Sequence, residues 1–227
     1  MAQTEPGPEA VMVVTGDVAR SRELPAPDRR ELQRKMLALL EAVNKDRSAD
    51  FVAPFSLSGG DEFQAALKPD AELFGLIRRL QAELFPVELR FGIGIGGVST
   101  DVRPRSQEMD GEAFARSREA MEAAKQNRSE VWFRTASESF DLAANTICRL
   151  MTAIRSDWSE VQHRRLRKKL DGWTNEEIAE AESVSPQAVS RSLLVGHYDA
   201  VREAEANLEE LRGCRNALSL PRDTTSP

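Results

Sequence analysis

The stretch FSLSGGDEFQAAL, from Phe55 to Leu67, predicts two short strands joined by a tight Gly-Gly turn. Its second half alternates apolar and other residues with the period of two that a half-buried strand requires. The two glycines accept positive φ without steric cost, and their lack of side chains lets an anion approach the backbone closely. The rest of the N-terminal half is organised around this hairpin.

Two carboxylates, Asp61 and Glu62, directly follow the turn. Oxygen ligands beside a bare backbone suit a magnesium ion that carries a phosphate. Ser58, Gly59 and Gly60 are the candidate phosphate contacts of such a site. An ordinary hairpin with a charged tip is the alternative, and the string by itself leaves both open.

A second acid stands where a buried strand ends. Val11–Val14 is a continuous apolar run, typical of a strand that is buried on both faces, and it leads through Thr15 and Gly16 to Asp17. A carboxylate in that position is unfavourable unless something pairs with it, although a turn or capping aspartate is the alternative. Arg20 and Arg22 follow, either as solvated side chains or as phosphate contacts.

The order of predicted elements is strand, helix, hairpin, helix, strand, helix, strand. Helical spacing predicts helices from Pro27 to Lys45, from Pro69 to Leu84 and from Gly111 to Asn127, with strands at 89–98 and 131–133. The glycine-rich 89–98 strand is one that another element crosses closely. This order predicts an α+β domain of the ferredoxin-like split βαβ plan, a central antiparallel sheet with an added strand. Such a sheet places Asp17 beside Asp61.

Residues 11–134 resemble the palm domain of GGDEF diguanylate cyclases and nucleotidyl cyclases. The matching strings are SGGDEF at 58–63, GDVARSREL at 16–24, FGIGIGG at 91–97 and EAMEAAKQNRSEVWF at 119–133. The whole chain resembles the SatD family, bacterial proteins with a palm-like N-terminal part and a C-terminal helix-turn-helix.

The resemblance implies that Asp17 and Asp61 hold Mg²⁺ or Mn²⁺, with Glu62 as the neighbouring acid, and that the ligand is a purine nucleotide. Its phosphate-holding cations would be Arg22, Lys125 and Arg128. Two bound metals could then activate a 3′-hydroxyl and stabilise the leaving pyrophosphate. The chain departs from the cyclases where they read guanine with an asparagine, since Pro25 stands near that place.

After Arg134 the pattern predicts helices only, over residues 135–213. Thr174 and Glu177 form a capping box at one helix start, and Ser185-Pro186 opens the next helix. Residues 172–194 thus have helix-turn-helix spacing and are similar to the last region of sigma factors. A final amphipathic helix, Tyr198–Leu211, is predicted to pack or to form a dimer.

The second helix of this pair exposes Gln187, Ser190 and Arg191, residue types that read base edges or hold phosphate. The basic run before it supplies further candidate backbone contacts, Arg164, Arg167 and Lys168. A helix-turn-helix that binds protein or a second copy of the chain is the alternative, because nearby glutamates balance these cations.

The 227 residues carry a net charge of −6, so DNA contact would need a local basic face. Two cysteines and no long apolar run or signal sequence predict a cytoplasmic protein without a membrane span. Residues 1–10 and 214–227 are predicted tails. Two functions remain: a DNA-binding transcription regulator, expected as a homodimer, whose palm senses a nucleotide; or a Mg²⁺-dependent nucleotidyl cyclase that uses the helix-turn-helix for targeting.

Overall fold

One mixed sheet forms the centre of the computed structural model. The structure describes residues 10–213, apart from the side chain of Arg22 and the exposure of Gly59. Its strands are β1 (Val11–Val18), β2 (Phe51–Gly59), β3 (Glu62–Leu67), β4 (Leu89–Gly96) and β5 (Val131–Arg134). The sheet order is β2-β3-β1-β4-β5. The predicted tails at 1–9 and 214–227 lie outside the described residues.

The first four strands in this order pair antiparallel, whereas β5 runs parallel to β4. The α+β class is confirmed, but the prediction of an antiparallel sheet is wrong at β5. A helix separates β4 from β5, and this crossover returns the chain to the end of the sheet at which β4 begins.

Three helices cover the sheet: α1 (Ala26–Asp46), α2 (Leu73–Leu84) and α3 (Glu112–Asn127). The first two pack on one face and α3 packs on the other. Successive side chains of β1 therefore pack on opposite faces of the sheet. Met12 and Val14 lie on the α1–α2 side, and Val11 and Val13 lie on the α3 side. The prediction that β1 is buried on both faces is confirmed.

Helix α2 begins at Leu73, later than the predicted start at Pro69. Residues 69–71 form a turn, and the Glu72 carboxylate caps the helix by accepting a hydrogen bond from the Gly75 backbone N–H at 2.5 Å. Pro69 and Asp70 resemble a helix start because proline and aspartate are common there, but the cap that forms lies further along the chain.

The glycines of β4 allow α3 to lie directly on the strand. A Cβ atom at Gly94 would stand 2.1 Å from the Ala113 carbonyl oxygen, and one at Gly92 would stand 2.6 Å from that of Ser117. These neighbours are backbone atoms and cannot rotate away. The prediction that another element crosses this strand closely is confirmed.

The remaining helices are α4 (Glu138–Ser156), α5 (Glu160–Leu170), α6 (Asn175–Glu182), α7 (Pro186–Val195) and α8 (Tyr198–Gly213). Residues 135–213 contain no strand. Helix α4 and the final helix are part of the main core, where Cys148, Val201 and Leu208 are buried with the sheet residues. The core therefore continues past the predicted domain boundary at Arg134.

Helix α8 is fixed to α2 by polar contacts as well. The Glu209 carboxylate accepts hydrogen bonds from the backbone N–H groups of Leu73 and Phe74, each at 2.7 Å, and so caps α2 from outside. Glu205, which is 1% exposed, lies among Arg78 and Arg155. Helix α8 thus ties together α2 and α4.

Candidate functional site

A row of charged residues crosses the α3 face of the sheet at the end of β1. Asp17 stands opposite Glu62 on β3 and opposite Arg90 on β4. The turn between β2 and β3, which contains Asp61, lies at the same end of the sheet, and Gly60 adopts a left-handed φ of 60° there. The predicted glycine turn is therefore present, beside the end of the first strand.

Asp17, Asp61 and Glu62 form the carboxylate corner of the sheet. Asp17 is partly buried there, with 13% of its side chain accessible. Burial raises its pKa, the nearby Lys125 ammonium lowers it, and the Asp61 carboxylate raises it again, so that the net shift is upward. The Lys125 Nζ lies 3.7 Å from the Asp17 Oδ2. The structure thus brings Asp17, Asp61 and Lys125 together.

Hydroxyl groups orient the acids of the turn. Ser21 is buried and its Oγ donates a short hydrogen bond to the Asp61 Oδ2. The Ser58 Oγ lies 3.5 Å from the Glu62 Oε1. Ser21 belongs to the site, although its position in the sequence, between two arginines, gave no signal of this role.

A buried polar network lies one row deeper in the sheet. The Gln64 amide donates to the Thr15 hydroxyl at 3.0 Å, and Thr15 shares a hydrogen bond of 2.7 Å with Ser117. Ser117 in turn donates to the Gly92 carbonyl at 2.9 Å. This network attaches α3, and with it Lys125, to the strands that carry Asp17 and Glu62. A sequence signal for this network exists. Thr15 and Gln64 are polar residues in otherwise apolar strands, and each lies two positions from an acid, Asp17 or Glu62.

The other predicted phosphate contacts lie elsewhere. Arg20 is exposed and forms an ion pair with Glu88 at 2.8 Å, and Arg128 is exposed at the end of α3. Both have left-handed backbones, with φ of 57° and 52°. The side chain of Arg22 is outside the described part of the structure. Of the predicted cations whose side chains the structure describes, Lys125 contacts Asp17.

Helices α6 and α7 form a compact pair with a small core of their own. Ile178, Ala179 and Val189 are buried between them, with Leu193 packed alongside. The predicted capping box between Thr174 and Glu177 is present, and the Ser185 hydroxyl caps α7, as its place before Pro186 predicted.

Gln187, Ser190 and Arg191 are all exposed on α7. Gln187 and Arg191 stand four residues apart and therefore share one side of the helix. The Ser190 hydroxyl accepts a hydrogen bond from the Asn175 amide of α6 at 3.0 Å. One of the three predicted contacts is thus also used to hold the two helices together.

The basic run of α5 is partly neutralised within the protein. Glu182 accepts contacts from Arg164 at 3.4 Å, Arg165 at 2.8 Å and Lys168 at 3.1 Å. Burial alone would raise the pKa of Glu182, but hydrogen bonds from Arg165 and Lys168 outweigh this and lower it. One carboxylate thus faces three cations of α5, while Glu176, Glu177 and Glu180 of α6 are exposed.

Arg167, by contrast, points back toward the sheet domain and forms an ion pair with Glu83 of α2 at 2.8 Å. It is half-exposed, so that it contributes to the positive surface less directly than Arg164. Sequence alone could not separate these neighbouring cations, because their partners lie far away along the chain.

A sequence model of the SatD family matches residues 11–197, which include the sheet, its helices and the α6–α7 pair. The chain belongs to the SatD family. No curated protein matches this SatD-family chain with significance. Between residues 10 and 213, no helix combines the length and the apolar character needed to cross a membrane.

The carboxylate corner of the SatD-family protein has donors that fit a magnesium or manganese ion bound together with a phosphate. Nowhere in residues 10–213 do three His, Cys, Asp or Glu side chains gather as a metal cage. Asp17 and Asp61 would supply two oxygen ligands, and Mg²⁺ commonly takes its remaining ligands from water and phosphate oxygens. A cation would also offset the unfavourable burial of the Asp17 charge.

Proposed function

We propose that this SatD-family protein is a DNA-binding transcription regulator whose sheet domain, a GGDEF-like palm, binds a metal–nucleotide complex. In this proposal α6 and α7 are a sigma-factor-like helix-turn-helix, and α7 enters the major groove. The observation that carries it is the exposed side of α7, where Gln187 and Arg191 share one side of the helix close to the three α5 cations that contact Glu182. Side chains of these two types read adenine and guanine edges.

The nucleotide part of the proposal is supported by the corner at Asp17, Asp61 and Lys125. A triphosphate bound through Mg²⁺ would place negative charge beside Lys125, and the Ser21 hydroxyl would keep Asp61 oriented. Helix α7 is joined to the rest of the molecule through α5 and α8, so that a change at the sheet domain has a path to the DNA-binding surface. A homodimer would contact two half-sites one helical turn apart.

Replacing Arg191 with alanine is expected to weaken binding to a preferred DNA site by about 1–3 kcal/mol and to relax the base preference at one position. The reason is the loss of a bidentate contact to a base edge. Sequences enriched by the wild-type protein from a random duplex library would be compared with random duplexes in a mobility-shift titration. Two symmetric half-sites in the enriched sequence would support the dimer.

Replacing Arg164 with glutamine is the matched test for contact with the DNA phosphate backbone, because it leaves the Arg165–Glu182 pair in place. The variant should bind all DNA sequences more weakly, and the slope of the logarithm of the binding constant against the logarithm of the salt concentration should fall in magnitude by about one. Arg149→Gln, on the exposed side of α4, is the control and should behave as wild type. Unaltered DNA binding in both Arg191→Ala and Arg164→Gln would contradict the regulator proposal.

A second candidate function, a nucleotidyl cyclase, is favoured by the proximity of the Asp17 and Asp61 carboxylates. A divalent metal held there would stabilise negative charge on a triphosphate and favour attack by a hydroxyl group. Lys125 would hold the phosphates, and Ser21 would keep one carboxylate in place. Pro25, where the cyclases carry a guanine-reading asparagine, favours sensing over synthesis.

Asp61→Ala is expected to weaken Mg²⁺-dependent nucleoside triphosphate binding by about tenfold or more, since one of two metal ligands is lost. Calorimetry with each triphosphate, with and without Mg²⁺, measures this. Chromatography of the same mixtures for cyclic products and pyrophosphate separates the two functions. Asp70→Asn, an exposed turn acid, is the control. Equal binding by wild type and Asp61→Ala would refute the metal–nucleotide corner.

A further inference from the structure

A cleft of about 720 Å³ lies where α4 and α5 meet the end of the sheet. Its walls are residues 19–20 after β1, one side of α2, residues 85–90 at the start of β4, the turn 128–130 between α3 and β5, and the facing sides of α4 and α5. Neither Asp17, Asp61 nor Lys125 lines it. The cleft thus borders the carboxylate corner at Arg90, which stands opposite Asp17, and its volume is that of a small-molecule site.

Arginine is the dominant charged residue of the cleft. The walls carry five arginines against three glutamates, the arginines being Arg20, Arg78, Arg90, Arg128 and Arg155. Three of them have acidic partners: Arg20 pairs with Glu88, Arg155 with Glu130 and Glu205, and Arg78 with Glu205.

Two guanidinium groups of the cleft have no such partner. Arg90 and Arg128 form neither an ion pair nor a hydrogen bond through their side chains within residues 10–213, although Arg90 feels the charge of Asp17. Arg155 is 7% exposed, and its Nε faces the Glu130 carboxylate at 3.4 Å without forming a hydrogen bond. Guanidinium donors without acceptors on the walls of a cleft are an arrangement that an anionic ligand completes.

The backbone supports the same interpretation. Arg20 and Arg128 are two of the four non-glycine residues between positions 10 and 213 that have a left-handed φ, and both line this cleft. Arg128 ends α3, a position that glycine usually fills because any other side chain is strained there. Strain of this kind persists where the side chain has a function.

One wall of the cleft is aromatic. The His163 ring stacks on Phe85 with centroids 4.4 Å apart and meets Trp158 edge-to-face at 5.5 Å. Burial lowers the pKa of His163 and the Arg155 charge lowers it further, which disfavours the charged imidazolium form in this wall. A planar ring system can lie against such a wall while a phosphate reaches the arginines.

We propose that the cleft binds a nucleoside phosphate without a metal ion, with the phosphate held by Arg90 and Arg128 and the base against the aromatic wall. Binding in the cleft would affect α7, because α5 and Trp158, two residues before it, contact the end of that helix. The Trp158 Nε1 donates to the Gly196 carbonyl at 2.7 Å, and the Gln162 amide donates to the Ser192 carbonyl at 3.2 Å. This regulatory consequence rests on the proposed function, whereas the binding itself does not.

The test is calorimetric titration of the full chain in EDTA, which removes divalent metals from the carboxylate corner. The probes are AMP, GMP, CMP and UMP, with ribose 5-phosphate and the uncharged nucleosides as comparisons. We expect at least one monophosphate to bind, and both comparisons to bind about tenfold or more weakly, because each lacks one half of the recognised group. Quenching of Trp158 fluorescence, absent in Trp158→Phe, should accompany binding.

Arg128→Gly is the decisive variant. It should lose monophosphate binding about tenfold or more while its melting temperature stays level or rises, because glycine relieves the left-handed strain. Arg149→Gln and Asp61→Ala should bind monophosphate as wild type does, and the latter separates this site from the metal–nucleotide corner. The proposal is overturned if no monophosphate binds in EDTA, if Arg128→Gly binds normally, or if ribose 5-phosphate binds as tightly as the nucleotide.

Discussion

Replacement of Glu205 with alanine is expected to lower the free energy of unfolding by about 3–5 kcal/mol. This carboxylate is 1% exposed and forms ion pairs with Arg78 of α2, Arg155 of α4 and Arg202 of its own helix. Its removal takes the shared carboxylate from two nearly buried guanidinium groups, which keep only their ion pairs with Glu72 at 3.6 Å and with Glu130 at 3.4 Å. This costs more than the original pairing contributed. Urea unfolding followed by circular dichroism measures the change.

Glu203→Gln is the matched control for this experiment, because Glu203 lies on the same helix but is exposed. Its free energy of unfolding should stay within about 0.5 kcal/mol of wild type. Glu205→Gln, which keeps the shape and an acceptor oxygen, should fall between the two. If Glu205→Ala were as stable as the control, the buried cluster would not be what holds α8 against α2 and α4.

The second large effect is expected for Gly92→Ala, with a loss of about 3 kcal/mol. The new methyl group would stand 2.4 Å from the Met121 backbone nitrogen and 2.6 Å from the Ser117 carbonyl oxygen. Neither atom can move unless α3 shifts away from the sheet. Thermal and urea unfolding give the stability, and the same protein can be titrated with Mg²⁺ and nucleoside triphosphates.

A shift of α3 would also separate Lys125 from Asp17 and break the Ser117 link to Thr15. Metal-dependent triphosphate binding should therefore fall even in the fraction that stays folded. The control is Gly213→Ala, since a methyl group at Gly213 meets no atom within 4 Å. A Gly92→Ala protein with wild-type stability would show that α3 does not rest on β4 as closely as these distances indicate.

The parts of the fold that were predictable are those whose information is local. The continuous apolar run of β1, the glycines of β4 and the capping box at Thr174 each specify their element within a few residues. The direction of β5 was not predictable in this way, because it depends on how α3 crosses the sheet. The start of α2 was missed for a similar reason, since Pro69-Asp70 and Glu72 offer competing caps.

The site divides along the same line. Asp17 and Asp61 were recognisable because an acid at a strand end and an acid after a Gly-Gly turn are each unusual, and the strand order then brings them together. The pairing of Glu182 with three cations of α5 was invisible, since those partners are set by tertiary packing. The arginine cleft could not be predicted from the sequence either, because its residues come from separate turns and several helices.

The docking of α8 has a consequence for how the protein is made. The apolar surface that contacts Val201 and Leu208 is built from residues that are translated earlier. The backbone N–H groups of Leu73 and Phe74 can bond to Glu209 only after α8 has been synthesised. Until α8 is made, the apolar surface that it covers stays exposed, and transiently exposed surface of this kind favours aggregation.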